Sequence, residues 1–216
     1  MNASARTRLF GILLAPPAMA LLVAMAAAQA PPATHKILVE SPALQNDRPI
    51  PRDYTPDGRN VSPPLIWRDV PSLTRELAVI VEDTDAGSPP PYVHWLIYKI
   101  PPTAKGLPEG VPIDPAAAMP AEIAGALQGS NGFRRNLYRG PAPPPGKPHH
   151  YHFIVYAVDQ PLNLPAGATR QQLLDAMKGH VIGQGEIVST YERVAPPGGA
   201  GDPAEPAGRG RGRGRL

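Results

Sequence analysis

ELAVIVEDTDAGSPPPYVHWLIYKI, residues 76–100, holds two runs rich in β-branched and aromatic residues, ELAVIVED at 76–83 and YVHWLIYKI at 92–100, separated by an acidic turn with glycine and three prolines. Each run has strand length and is bounded by residues that stop regular structure, so each reads as a β-strand. A third run of the same kind, YHFIVYAVD at 151–159, follows the loop GPAPPPGKPHH at 140–150. Little polar alternation survives in the last two runs. That predicts central strands covered on both faces, as in a sandwich or barrel, rather than an exposed hairpin. KILVES at 36–41 and GEIVSTYER at 185–193 supply further strands toward the ends of the body.

One helix is signalled clearly: Thr169 and Gln172 form a T-x-x-Q capping box, Leu173, Leu174 and Met177 make an apolar stripe, and Gly179 suits a left-handed stop. A second helical segment, AAAMPAEIAGAL at 116–127, is interrupted by Pro120. The fold class is therefore mainly β, with a few short peripheral helices.

The chain has 216 residues, enough for one well-buried core with tails to spare. Its 31 prolines and 21 glycines are concentrated in the leader, in loops between apolar runs and in the last twenty or so residues, which argues for a loop-rich globular body rather than low complexity throughout. Residues 1–30 read as a secretory signal peptide: Arg6 and Arg8, an apolar stretch, then Ala28, Gln29 and Ala30 in the small-x-small pattern of a cleavage site. Pro16 and Pro17 leave an uninterrupted apolar run too short for a span of about twenty residues. The mature domain, 31–194, is expected to be periplasmic or secreted. Residues 195–216, rich in proline, glycine and arginine, read as a disordered, solubilising tail, with contact of its Arg-Gly repeat to anionic surfaces as the alternative.

Six of the arginines lie in the leader and tail, so the formal +3 charge belongs to the ends and the body is close to neutral. A basic nucleic-acid-binding face is not expected. The absence of cysteine excludes disulfides, thiolate nucleophiles and zinc–thiolate sites.

Three clusters carry chemistry: Asp57, Asn60 and Ser62; Asp83, Asp85 and His94; and His149, His150, Tyr151 and His152. His150 and His152, at i and i+2 of a strand, share a face as metal ligands do, but the flanking sequence lacks the glycine and glutamate spacing that completes a cupin site. Neither a metal nor a cofactor is assigned. Ser62, Ser130 and Ser189 lie in no G-x-S-x-G elbow and no catalytic triad is legible. Acid/base or metal-assisted hydrolysis by Asp83, Asp85 and the histidines is the weakest reading, and the chain is not expected to be an enzyme.

In order, DGRNVSPPLIW, the acidic D-x-D-A turn, HWLIYKIP, YRGPAPPPGKPHHYHFIVYAVD and GHVIGQGEIVSTYER resemble the phosphatidylethanolamine-binding protein family, in particular its bacterial Raf-kinase-inhibitor-like branch, over residues 36–193. The resemblance implies a β-sandwich with a small anion-accepting pocket at one end of the large sheet. It places the family's acidic turn on Asp83, Thr84, Asp85, Ala86 and Gly87, its strand histidine on His94, its G-P-x-P-P wall on Gly140, Pro141, Pro143 and Pro144, and its H-R-Y on His149, His150 and Tyr151. Two prolines of the turn are replaced by Thr84 and Gly87, and His150 stands where the family has arginine. Arg134 or Arg135 is expected to lean toward the mouth.

Two carboxylates oppose an anion unless Asp83 accepts a hydrogen bond from His94 or His149 and raises that imidazole's pKa, keeping a positive donor aimed inward near neutral pH. The expected function is thus non-enzymatic binding of a small anionic or phosphorylated ligand. The alternative is an inhibitor or scaffold of a protein partner such as an extracytoplasmic protease. The resemblance is also compatible with a homodimer.

Overall fold

Strands built from the apolar runs dominate the chain, and the computed structural model describes residues 34–87, 89–114 and 116–194. The expected signal peptide and Arg-Gly tail lie outside the described residues. In chain order the elements are β1 (His35–Lys36), β2 (Leu38–Glu40), β3 (Leu65–Arg68), β4 (Glu76–Asp83), β5 (Tyr92–Ile100), β6 (Gly106–Leu107), β7 (Leu127–Gln128), β8 (His149–Val158), α1 (Arg170–Met177) and β9 (Val181–Tyr191). The large sheet runs β1-β9-β8-β4-β5-β7, with β1 parallel to β9 and every other pairing antiparallel; β2, β3 and β6 form a small antiparallel sheet in the order β2-β3-β6.

The two-residue alternation of β4, β5 and β8 divides their side chains between two apolar layers. Leu77, Val79 and Val81, with Trp95, Ile97, Phe153 and Val155, pack in one buried cluster with Leu65, Trp67 and Leu107 of the small sheet. Ala78, Ile80, Leu96, Tyr98 and Val158 pack in a second with Leu162, Ala168, Leu173 and Met177, the last two from α1. Both faces of the central strands are covered, as their unbroken hydrophobicity predicts. The buried indoles also find acceptors: Trp67 Nε1 donates to Ala104 O and Trp95 Nε1 to Gln128 Oε1, each at 2.7 Å. Buried Glu82 of β4 is answered by Arg170 at 2.6 Å, fastening the start of α1 to the sheet.

Helix α1 follows its sequence signals. The Thr169 side chain accepts from Gln172 N–H, the Gln172 side chain accepts from Thr169 N–H, and Gly179 has φ +80°. The segment 116–127 differs from expectation: it yields only a three-residue 3-10 turn, Ala121–Ile123, because Pro120 cannot sit inside a helix and disfavours helical geometry before it. A second such turn is Arg52–Tyr54. Strand β3, to which the sequence reading gave no strand, alternates buried Leu65 and Trp67 with exposed Ile66 and Arg68.

Candidate functional site

The site grows from the end of β4 and the start of β8. Antiparallel register sets Asp83 opposite Tyr151, and His149, two residues before Tyr151, shares its face. His149 Nδ1–H donates to Asp83 Oδ2 at 2.8 Å, and both side chains are buried. The other carboxylate oxygen accepts from Asp85 N–H at 2.8 Å, so Asp83 has a donor on each oxygen. Asp85 stands at the rim, where its Oδ2 accepts from both the backbone N–H and the Nδ1–H of His150, at 2.8 and 2.7 Å. Consecutive histidines thus pin both aspartates of the turn.

His94 reaches this cluster through a β-bulge. Val81 pairs with Trp95 but Glu82 pairs with Val93, leaving His94 as an extra residue on β5. Strict alternation would put His94 on the α1 side with Leu96; the bulge turns it to the side of Tyr151, their ring centroids 5.2 Å apart and nearly perpendicular. Its Nδ1–H donates to Arg139 O at 2.7 Å, while its own carbonyl accepts from Arg139 N–H at 3.2 Å and from Asn131 Nδ2 at 3.4 Å. The side chain of Asn131 also organises the preceding loop, accepting from Phe133 and Arg135 N–H, each at 3.0 Å.

The proline wall is set by Gly140, whose N–H donates to Asn60 Oδ1 at 2.9 Å. Pro141 and Pro143 are buried and Pro144 is exposed. All three residues of the first sequence cluster act as braces: Asn60 as above, Ser62 Oγ by accepting from Val111 N–H at 2.9 Å, and Asp57 by accepting from Arg193 at 2.6 and 2.9 Å and from Tyr191 O–H at 2.8 Å.

Asp83, His94, His149 and Tyr151 therefore converge, with the proline wall beside them. The electrostatic expectation divides. Asp83 pairs with His149, not His94, and His94 moves opposite to a raised imidazole: burial, its largest influence, holds its pKa below the ordinary 6.5, outweighing the Arg139 carbonyl and the Asp83 charge. Of the two histidines expected as the raised imidazole, the His94 alternative is corrected on that ground. Its Nδ1–H is held by a carbonyl, so neutral His94 offers only an Nε2 lone pair.

This depression has a measurable sign. Below about pH 6.5 the unfolded chain binds a proton at His94 that the native state resists, so stability falls as pH drops from 6.5 toward the folded pKa; above 6.5 the ring is neutral in both states. The urea midpoint of the wild type is expected to fall more between about pH 7.5 and 5.5 than that of His94→Phe. Equal slopes contradict a buried neutral ring.

Tyr151 is fully buried, and its hydroxyl is the one enclosed side-chain polar atom without a hydrogen-bond partner among the described residues. Burial raises the phenol pKa most and the nearby Asp83 charge raises it further, although no hydrogen bond of regular geometry joins them. The phenol therefore stays protonated, close to the Asp83 carboxylate but outside regular hydrogen-bond geometry.

Sequence reasoning missed Tyr92, Phe133 and Arg139. Tyr92 and Phe133 meet edge to face at 5.1 Å, both contact the His94 ring, and Arg139 Cζ lies 4.4 Å from the Phe133 centroid. The aromatic character of Tyr92 and Phe133 was visible; their meeting depends on the bulge. Arg134 and Arg135, expected to lean toward the mouth, are exposed and form no ion pair among the described residues.

The family model described as phosphatidylethanolamine-binding protein matches residues 40–192, from β2 to the end of β9. The chain belongs to that family. A UPF0098 protein of Methanothermobacter thermautotrophicus is 45% identical over 149 residues, covering 68% of this chain and 94% of its own length. A UPF0098 protein of Pyrococcus abyssi is 43% identical over 156 residues, covering 71% and 84%. Among solved structures, a phosphatidylethanolamine-binding protein homologue of Chlamydia trachomatis has a TM-score of 0.64 at 36% identity, covering 74% of this chain and 99% of its own. YbcL of Escherichia coli, a member of the mammalian family, has a TM-score of 0.67 at 29% identity, covering 73% and 98%. The family assignment spans every residue of the cluster from Asp83 to Tyr151.

Proposed function

We propose that this family member is an exported, non-enzymatic binding protein for a small anionic, phosphate-bearing ligand taken up beside Asp83, His149 and Tyr151. The observation that carries the reading is the Tyr151 hydroxyl. A buried donor without a partner costs about 1–3 kcal/mol, and a bound anion's oxygen relieves that cost with a charge-assisted hydrogen bond. Neutral His94 complements it by accepting from a ligand hydroxyl or a protonated phosphate oxygen. The donors on both Asp83 oxygens leave it poorly placed as a general base, which supports binding over catalysis. Among the described residues no group of three or more His, Cys, Asp or Glu is arranged to hold a metal.

Tyr151→Phe separates ligand binding from packing. Its affinity for inorganic phosphate, followed by calorimetry, is expected to fall about tenfold, while stability holds or rises by up to about 1 kcal/mol because an unpaired hydroxyl is removed. Unchanged affinity with lost stability makes the phenol structural and overturns the reading.

The second reading, a contact for a protein partner, is favoured by a cleft of about 1090 Å³ beside the proline wall, lined by Pro49, Pro51, Pro145, Pro148 and Tyr191 and too large for a lone anion. Capture from periplasmic extract with and without saturating phosphate discriminates the two: a partner retained regardless of phosphate favours the cleft.

A further inference from the structure

A phosphate monoester carries close to two negative charges at neutral pH, yet the interior of this site is poor in cations. Asp83 is buried there, Asp85 stands at the rim, and His94 is neutral. The arginines of the surrounding loops and strands are mostly committed elsewhere. Arg193 grips Asp57, Arg170 grips Glu82, and Arg59 bridges Asp53 and Glu109.

Arg139 is different. Its guanidinium has no carboxylate partner or side-chain hydrogen bond among the described residues, and it is fixed instead by the face of Phe133, 4.4 Å from the centroid. Phe133 in turn meets Tyr92 and His94 edge to face, at 5.1 and 5.7 Å. The backbone of Arg139 is clamped to His94 in both directions, N–H to carbonyl at 3.2 Å and carbonyl from Nδ1–H at 2.7 Å. Arg139 also immediately precedes the Gly140–Pro141 wall. Its place over the Phe133 ring limits its rotamers while its N–H donors have no side-chain hydrogen-bond partner among the described residues, so the cation is positioned before a ligand arrives. Arg134 and Arg135, equally unpaired among the described residues, lie over no aromatic ring there and are solvent-exposed charges.

We propose that Arg139 is the ligand-selecting cation of this pocket: it contacts the outward oxygens of a phosphate whose inner oxygen meets Tyr151, and so favours doubly charged phosphates over singly charged carboxylates. This rests on the anion-binding reading given above. The acidic turn supplies the other half of the selectivity, since an anion that does not reach the guanidinium meets Asp83 and Asp85 without compensation.

The test is an NMR shift titration of the wild type, Arg139→Gln, Arg139→Lys and Phe133→Leu with inorganic phosphate and with acetate at pH 7.5. Arg139→Gln is expected to lose about tenfold in phosphate affinity and less than about twofold in acetate affinity. Arg139→Lys keeps part of the preference, having charge without the stacked planar fork. Phe133→Leu falls between wild type and Arg139→Gln, because the charge remains but is no longer held in place. Equal losses for the two anions make Arg139 a structural residue and overturn the proposal, as does unchanged phosphate affinity in Arg139→Gln. Failure of the pocket reading looks different: the wild type then binds neither anion, or Tyr151→Phe binds phosphate as well as the wild type does.

Discussion

Gly140→Ala is expected to lose about 3 kcal/mol of unfolding free energy, read from urea denaturation, and to weaken phosphate binding with it. A Cβ at this position falls well inside van der Waals contact distance of Tyr54 O and lies 2.8 Å from Thr55 Cα and 2.9 Å from Tyr54 C. All three are backbone atoms, with no rotamer by which to retreat. The carbonyl that must move also accepts the hydroxyl of buried Tyr138 at 2.7 Å, so relief of the clash strands a second polar group. Moving Gly140 further disturbs its own N–H bond to Asn60, on which the registration of the proline wall depends. Gly110→Ala is the control: there φ is +70° and a Cβ meets nothing within 4 Å, so the expected cost is about 1 kcal/mol, that of backbone conformation alone. Equal losses in the two variants rule out a steric origin at Gly140.

The second large effect belongs to Asp83→Ala, expected to cost about 3 kcal/mol, because it removes a buried carboxylate that accepts two hydrogen bonds. Both donors, His149 Nδ1–H and Asp85 N–H, are left without their acceptor. Asp83→Asn keeps one acceptor oxygen and is expected to recover roughly half of the loss. Anion binding should be abolished in Asp83→Ala, despite removal of a repelling charge, since His149 and the turn are no longer held in position. A loss below about 1 kcal/mol would mean that the two donors find other acceptors once the carboxylate is gone.

The legibility of this chain follows from what sets each feature. The limits of β4 and β5 coincide with the runs read from sequence because both strands are buried on both faces, where burial and strand propensity demand the same residues. Helix α1 was legible because its start is written in the local capping box. Strand β3 was not, since four residues following two prolines acquire their role only by pairing with β2 and β6. At the site, Asp83 and His149 were named but their pairing was left open between two histidines; it is decided by register across β4 and β8, a long-range property. His94 was placed by motif, while its neutral state arises from enclosure by Tyr92, Phe133 and Tyr151. Asp57 looked like a chemical group because carboxylates in loops often are. Its partner, Arg193, lies more than a hundred residues away and reveals a brace.

The extra residue in β5 divides that strand between two environments. On its inner side Trp95 and Ile97 are locked into the layer shared by the two sheets, where altered volume is felt at once. On its outer side Tyr92, exposed at the lip, no longer keeps step with that layer, and its substitution is absorbed by solvent and by Phe133. The dislocation thus acts as an insulator between a rigid chassis and an adjustable rim, so that residues at the lip can be exchanged while the packed layers stay unchanged.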